Sequence, residues 1–161
     1  MKTIKIKISL LLLLIYGLFL IKVIVFKYIS NWTTFSEHIS QLDSQLISRS
    51  MQRANFVPLK TIIQYLMSDL SRGIIINNLV GNLVLFIPYG MLIGILIDKF
   101  VWKAMVVGLL TSLGFELIQL TFVLGSFDID DIILNTIGAL IGISIVKYWN
   151  KLRVYFRRNS K

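Results

Sequence analysis

The sequence predicts an all-α membrane protein, a bundle of four transmembrane helices with an amphipathic helix at its outer interface. Three observations carry that prediction. Hydrophobic residues make up 56% of the 161 residues and charged residues only 16%, whereas soluble domains average roughly 45–50% and about 25%. Four segments reach the ~20 apolar residues that a bilayer crossing needs. Lysine and arginine gather at the ends of those segments that would lie on one side. The length suits one domain over residues 1–161. The absence of cysteine excludes disulfide frameworks and thiolate metal sites.

The first apolar run follows Lys2, Lys5 and Lys7 and resembles a signal peptide at its start. No small-x-small cleavage site comes after it, and the run continues through Lys22 and Val23 to Phe26, so it reads as an uncleaved first span over about 8–26. A long polar outer segment over about 27–75 comes next. Within it Leu59, Ile62, Ile63, Leu66, Met67 and Leu70 recur at helical spacing, and Lys60, Gln64 and Asp69 fall elsewhere on the wheel. That pattern predicts an amphipathic interfacial helix, with Pro58 at its start. A weaker helical pattern runs through Phe35, Ile39, Leu42 and Leu46; His38 stands alone there and reads as a surface residue. The remaining spans cover about 76–97, 101–123 and 129–148. Their links near 98–100 and 124–128 are short, so these helices form an antiparallel hairpin series.

Orientation follows from the basic residues. With the amino terminus inside, the cytoplasmic side carries Lys2, Lys5, Lys7, Lys99, Lys103, Lys147, Lys151, Arg153, Arg157, Arg158 and Lys161. The outside carries Arg49, Arg53, Lys60 and Arg72, offset by Glu37, Asp43 and Asp69. The expectation is a multi-pass cell-membrane protein with both termini in the cytoplasm. The net charge of +9 then reflects a basic tail set against anionic lipid, not a nucleic-acid-binding arm.

Polar groups in lipid are expensive, so each needs a reason. The second span holds Asn78 and Asn82, one turn apart on one face. The third holds Glu116 and Gln119, with Ser112 one turn before the glutamate. The fourth opens with Asp128, Asp130 and Asp131 and continues to Asn135, which shares a face with Asp131, Gly138 and Gly142. At 1.5 Å rise per residue, Asn82 and Asn135 lie ~9 Å and Glu116 ~10 Å below the outer ends of their helices. Helices of alternating direction thus place polar residues in one layer, which predicts a polar pocket in the outer third of the bundle. Plainer readings stand beside this one. The amides serve equally as interhelical hydrogen-bond glue, and Gly90–Gly94 and Gly138–Gly142 as packing notches. The aspartates serve as caps and first-turn acids, the reading preferred for Asp130. Pro88 is a kink whose freed carbonyl is satisfied by neighbours. Glu116 is hardest to explain structurally, because a carboxylate buried in a span is a functional candidate by default.

At these residues the sequence resembles the VanZ-like family of small membrane proteins. Four blocks carry the resemblance: Asn55 and Pro58; Gly81-Asn82 with Phe86-Ile87-Pro88-Tyr89-Gly90; Phe115-Glu116 with Gln119; and Asp128, Asp131, Asn135-Thr136, Gly138 and Gly142. Tyr89 stands where phenylalanine is usual, and Asp130 lies outside the motif. The stretch covered is about 53–145. The resemblance adds Asn55 and Arg53 to the site residues. It implies a role at the cell envelope, since the family's founding type is associated with tolerance of the glycopeptide antibiotic teicoplanin.

Three functions remain open on this footing. In the first, the pocket binds or masks an envelope component of the outer leaflet, such as a lipid-linked cell-wall precursor or the glycopeptide, among membrane lipids as standing partners. Glu116, Asp128 and Asp131 then accept hydrogen bonds or cations, Asn82 and Asn135 orient the ligand, and Asn78 and Gln119 join them in the site. In the second, the protein is a membrane-embedded hydrolase or transferase, with Glu116 as general base and a divalent metal on Asp128 and Asp131. In the third, Glu116 carries protons in coupled transport. The sequence offers no His–carboxylate pair and no serine set beside a base, which leans against the enzyme. No cofactor and no nucleic-acid partner are expected.

Overall fold

The computed structural model describes residues 2–25, 32–97 and 101–159. Among these residues the regular structure is helical apart from one isolated bridge between Asn55 and Asp128. Among the described residues four helices are long and apolar enough to cross a membrane. Helix α1 spans Lys2–Leu20 and continues as a π-helical turn, Ile21–Val25. Three shorter helices follow: α2 (Trp32–Ser40), α3 (Ser44–Arg53) and α4 (Lys60–Met67). The last three long helices are α5 (Arg72–Leu96), α6 (Val101–Thr121) and α7 (Ile129–Asn159). The expected link near 98–100 and the end of the first span at Phe26 lie outside the described residues.

Several boundaries differ from the sequence expectation, each for a local reason. The pattern through Phe35 and Leu46 is two helices rather than one, because Asp43 caps α3 by accepting the Leu46 N–H at 2.7 Å. Helix α4 is shorter than the apolar repeat from Leu59 to Leu70, since Leu59 takes a left-handed φ of 66° and Ser68 turns extended. Its flank remains strongly apolar at the surface, with Leu59, Ile63, Leu66, Met67 and Leu70 all exposed. The third span stops at Thr121, and Val123 adopts φ 52°. Helix α7 continues eleven residues beyond 148, to Asn159. Loss of hydrophobicity ends a membrane span, but lysine and arginine are good helix formers and do not end a helix.

Helices α5 and α7 run side by side in parallel and touch backbone to backbone. A Cβ on Gly138 would lie 2.1 Å from the Leu83 carbonyl oxygen, one on Gly142 2.1 Å from that of Ile87, and one on Gly90 2.1 Å from that of Ala139. Only glycine fits such an approach, and in lipid close van der Waals contact replaces the hydrophobic effect as the force between helices. The buried cluster beside this seam includes Leu20, Phe86, Tyr89, Phe115 and Ile143. The Phe86 ring stands edge-on to Phe115 at 6.2 Å and to Tyr89 at 5.5 Å. The Tyr89 hydroxyl meets the Thr111 hydroxyl at 2.6 Å, so the extra oxygen that phenylalanine would lack has its own partner on α6. Pro88 lies inside α5, and one residue past the carbonyl it frees, Leu85 O accepts the Tyr16 hydroxyl at 2.8 Å. That bond ties α1 to α5.

Candidate functional site

The polar residues gather where the α2–α4 segment meets the ends of the long helices. A polar cavity of about 220 Å³ opens there. Its walls include Asn77, Asn78, Gly81 and Asn82 from α5, Gln119 from α6, Asp128 and Asp131 from the start of α7, and Thr61 and Tyr65 from α4. Five of the sequence-proposed site residues therefore line one space: Asn78, Asn82, Gln119, Asp128 and Asp131.

A second group stands behind that wall and holds it. Glu116, 1% exposed, accepts the Asp128 backbone N–H on Oε2 at 2.8 Å. Its carboxylate thus fixes the turn into α7 and is not among the residues lining the cavity. Asn55 works on the same turn from the other side. Its N–H donates to Phe127 O at 2.8 Å, its carbonyl accepts from Ile129 N–H at 3.0 Å, and its Nδ2 donates to Asp128 Oδ1 at 2.9 Å and Thr61 Oγ1 at 3.0 Å. Asp128 Oδ1 also accepts the Asp130 N–H at 2.9 Å. Asn135, also 1% exposed, donates to Ser112 Oγ at 2.9 Å, and its buried Oδ1 has no hydrogen-bond partner among the described residues. Gln119 donates to the Ile24 carbonyl at 2.9 Å. That carbonyl belongs to the π-helical turn, where the widened backbone departs from the usual hydrogen-bond ladder.

Arg53 does not join this group. It lines a separate cavity of about 350 Å³ with Thr34, His38 and Val123–Ser126. Gly125 and Ser126 border both cavities and form the partition. His38 is not a plain surface residue, because its Nε2 lies 2.8 Å from the Phe122 carbonyl oxygen, joining α2 to the end of α6.

Asp130 is the residue the sequence undervalued. Capping was the right role but on the wrong helix. Its carboxylate, 1% exposed, accepts the backbone N–H groups of Leu59, Thr61 and Ile62, the open donors at the start of α4. Nothing local in the sequence pairs position 130 with position 61. Asn77, Thr61 and Tyr65 were missed as cavity residues too. The adjacent Asn77-Asn78 pair was the one visible signal.

Chemically the cavity is rich in acceptors and amides. Among the described residues no three of His, Asp and Glu converge in a way that holds a metal ion. Both Asp128 Oδ1 and Glu116 Oε2 are occupied by protein N–H groups.

A family model described as VanZ/LLP1 matches residues 13–150, from within α1 to within α7. The chain is 37% identical to Protein VanZ of Enterococcus faecium over 81 residues, 47% of this chain and 47% of that protein. The alignment thus spans about half the length of the curated relative. No solved structure matches. With the family match running through all four membrane-spanning helices and every residue that lines the polar cavity, the chain belongs to the VanZ/LLP1 family.

Proposed function

We propose that this protein acts at the outer face of the cell membrane, where the polar cavity binds or masks an envelope component and so confers tolerance of teicoplanin-type glycopeptides. The cavity itself carries the reading. Polar side chains from α4, α5, α6 and α7 converge on one space at the end of a membrane bundle, where each polar group costs free energy and calls for a function. The bias of lysine and arginine supports cytoplasmic termini, which puts the cavity on the outer side. Family membership supports the link to glycopeptides, and a lipid-linked cell-wall precursor or the drug itself are the ligands that fit it. Binding is favoured over catalysis or proton transport because Glu116 holds the Asp128 backbone from behind the cavity wall. The test is drug tolerance in cells expressing Asn82→Leu at wild-type abundance in the membrane. Loss of tolerance is expected, and full tolerance in a normally expressed variant would refute the proposal.

A further inference from the structure

The cavity beside Arg53, about 350 Å³, lies within the ~300–1,000 Å³ of typical ligand sites. Two of the short helices present residues to it. On α3, Arg53 shares a face with Ser50, one turn earlier. Ser50 is fully buried and donates to Gly125 O at 3.3 Å, which lays that face of α3 against the turn between α6 and α7. On α2, Thr34 and His38 also stand one turn apart, and both line the cavity. The Phe122 carbonyl oxygen can only accept, so His38 donates to it from Nε2 and holds α2 in place.

The turn that closes the cavity leaves donors open. Val123 takes its left-handed φ of 52°, and the N–H groups of Val123 and Leu124 fold back on the carbonyls of Leu120 and Gln119 at 3.4 and 2.9 Å. Those bonds cap the end of α6. The next two backbone N–H groups, of Gly125 and Ser126, and the Ser126 hydroxyl have no hydrogen-bond partner among the described residues. The Arg53 guanidinium has neither a hydrogen bond nor an ion pair among them. No carboxylate lines the cavity. Glu37 is exposed and outside the lining, Asp43 caps the opposite end of α3, and Asp128 and Asp131 line the neighbouring cavity beyond the Gly125–Ser126 partition.

A guanidinium is a permanent cation with five donors and no acceptor. Set beside a hydroxyl and two backbone N–H groups, it makes a surplus of donors around one positive charge. A tetrahedral oxyanion has more acceptor oxygens for them than a carboxylate has, and charge strengthens each bond. None of the lining residues belongs to a spanning helix, and Val123 lies just past the end of α6. The cavity thus sits at the level where a bilayer carries headgroups and water.

We propose that this cavity is a phosphate site, with the oxyanion held by the Arg53 guanidinium, the Ser126 hydroxyl and the N–H groups of Gly125 and Ser126, whether the phosphate is free or borne on a lipid headgroup. The site is separate from the polar cavity, and its occupancy does not depend on what that cavity binds.

The experiment is titration calorimetry on the full chain in uncharged detergent, with ionic strength held constant by chloride. The probes are inorganic phosphate, acetate, dihexanoyl phosphatidylglycerol and the phosphate-free dihexanoylglycerol. Saturable binding of inorganic phosphate or of the phospholipid is expected, roughly tenfold tighter than acetate. Tighter binding of the phospholipid assigns the phosphate to a lipid headgroup, and tighter binding of inorganic phosphate assigns it to a free anion. Arg53→Gln should weaken the better probe by roughly tenfold, about one hydrogen bond to a charged group. Arg53→Lys should recover part of the loss, because an ammonium keeps the charge without the fork. Ser126→Ala, at an exposed position, should weaken binding by roughly threefold. Arg158→Gln removes the same charge from the exposed last turn of α7 and should leave affinity unchanged. An equal loss in Arg158→Gln would reduce the effect to net charge and overturn the site. Affinity untouched by both Arg53→Gln and Ser126→Ala would overturn it as well, as would no binding of either phosphate probe. Acetate bound as tightly as phosphate would overturn the choice of anion, and dihexanoylglycerol bound as tightly as the phospholipid would overturn the headgroup source.

Discussion

At the scale of single residues, Glu116 changes meaning between sequence and structure. Its burial inside a span marked it as chemistry, whereas the structure shows it accepting one backbone N–H. The two roles separate by substitution. Glu116→Gln keeps an acceptor oxygen in reach of Asp128 and should retain drug tolerance at normal abundance. Glu116→Asp withdraws the acceptor by one methylene and should do worse than Gln. Glu116→Leu strands the Asp128 N–H and should lower stability by about 1–3 kcal/mol, seen as reduced abundance or an earlier melting midpoint in detergent. Loss of tolerance in well-folded Glu116→Gln would restore the base or proton-carrier role. That the residue lies buried in a span was legible in the sequence, because a carboxylate in an apolar run stands out. Its partner was not, because a backbone donor twelve residues away leaves no mark on side-chain identity.

At the scale of elements, two joints deserve testing. Helix α4 is held over the cavity by Asp130, whose carboxylate collects three open donors at its start. Asp130→Ala should cost about 2–3 kcal/mol, since hydrogen bonds to a charged acceptor are among the stronger ones. The expected readout is local: faster proteolytic cleavage between Phe56 and Leu70 while the long helices stay protected. Unchanged cleavage would show that α4 is held by other contacts. The second joint is the glycine seam. Gly138→Ala drives a methyl into the Leu83 carbonyl, so α5 and α7 must part, at a cost of about 1–3 kcal/mol. Gly114→Ala, with nothing within 4 Å of the added carbon, is the matched control and should be neutral or slightly stabilising. Equal melting midpoints for the two variants would contradict the backbone-to-backbone seam. Both glycine pairs were visible as small-xxx-small spacing, but the choice of partner helix was not.

At the scale of the whole molecule, the basic residues predict orientation. A cytoplasmic reporter fused after Lys161 should be active, and an external one near Gln45 should be active, with the converse fusions silent. An external carboxy terminus would move the cavity to the cytoplasmic side and remove the proposed ligand class with it. The long α7 bears on the same point. Its last turns carry Arg153, Arg157 and Arg158 beside exposed Tyr148, Trp149 and Tyr155, and this mixture of aromatic and basic side chains suits a membrane–water interface. The sequence reading treated that stretch as a basic tail and missed that it is helical, because hydropathy reports where a span ends and not where a helix does.

What the sequence determined by itself was whatever depends on local composition and period. Four apolar runs fixed four spanning helices, and polar residues at turn spacing marked which helix faces converge. Helical spacing between Leu59 and Leu70 marked the short interfacial helix. What only the tertiary structure decided was the division of labour among those polar residues. Asn78, Asn82, Gln119, Asp128 and Asp131 face the cavity, while Glu116, Asn55, Asn135 and Asp130 brace it and Arg53 faces another space. The physical reason is that bracing runs through contacts such as Asn55 to Asp128 and Asp130 to Thr61, 73 and 69 residues apart. Such pairs are set by how packing brings distant donors, a side-chain amide in one and a backbone N–H in the other, to a carboxylate, and no spacing along the chain encodes that encounter.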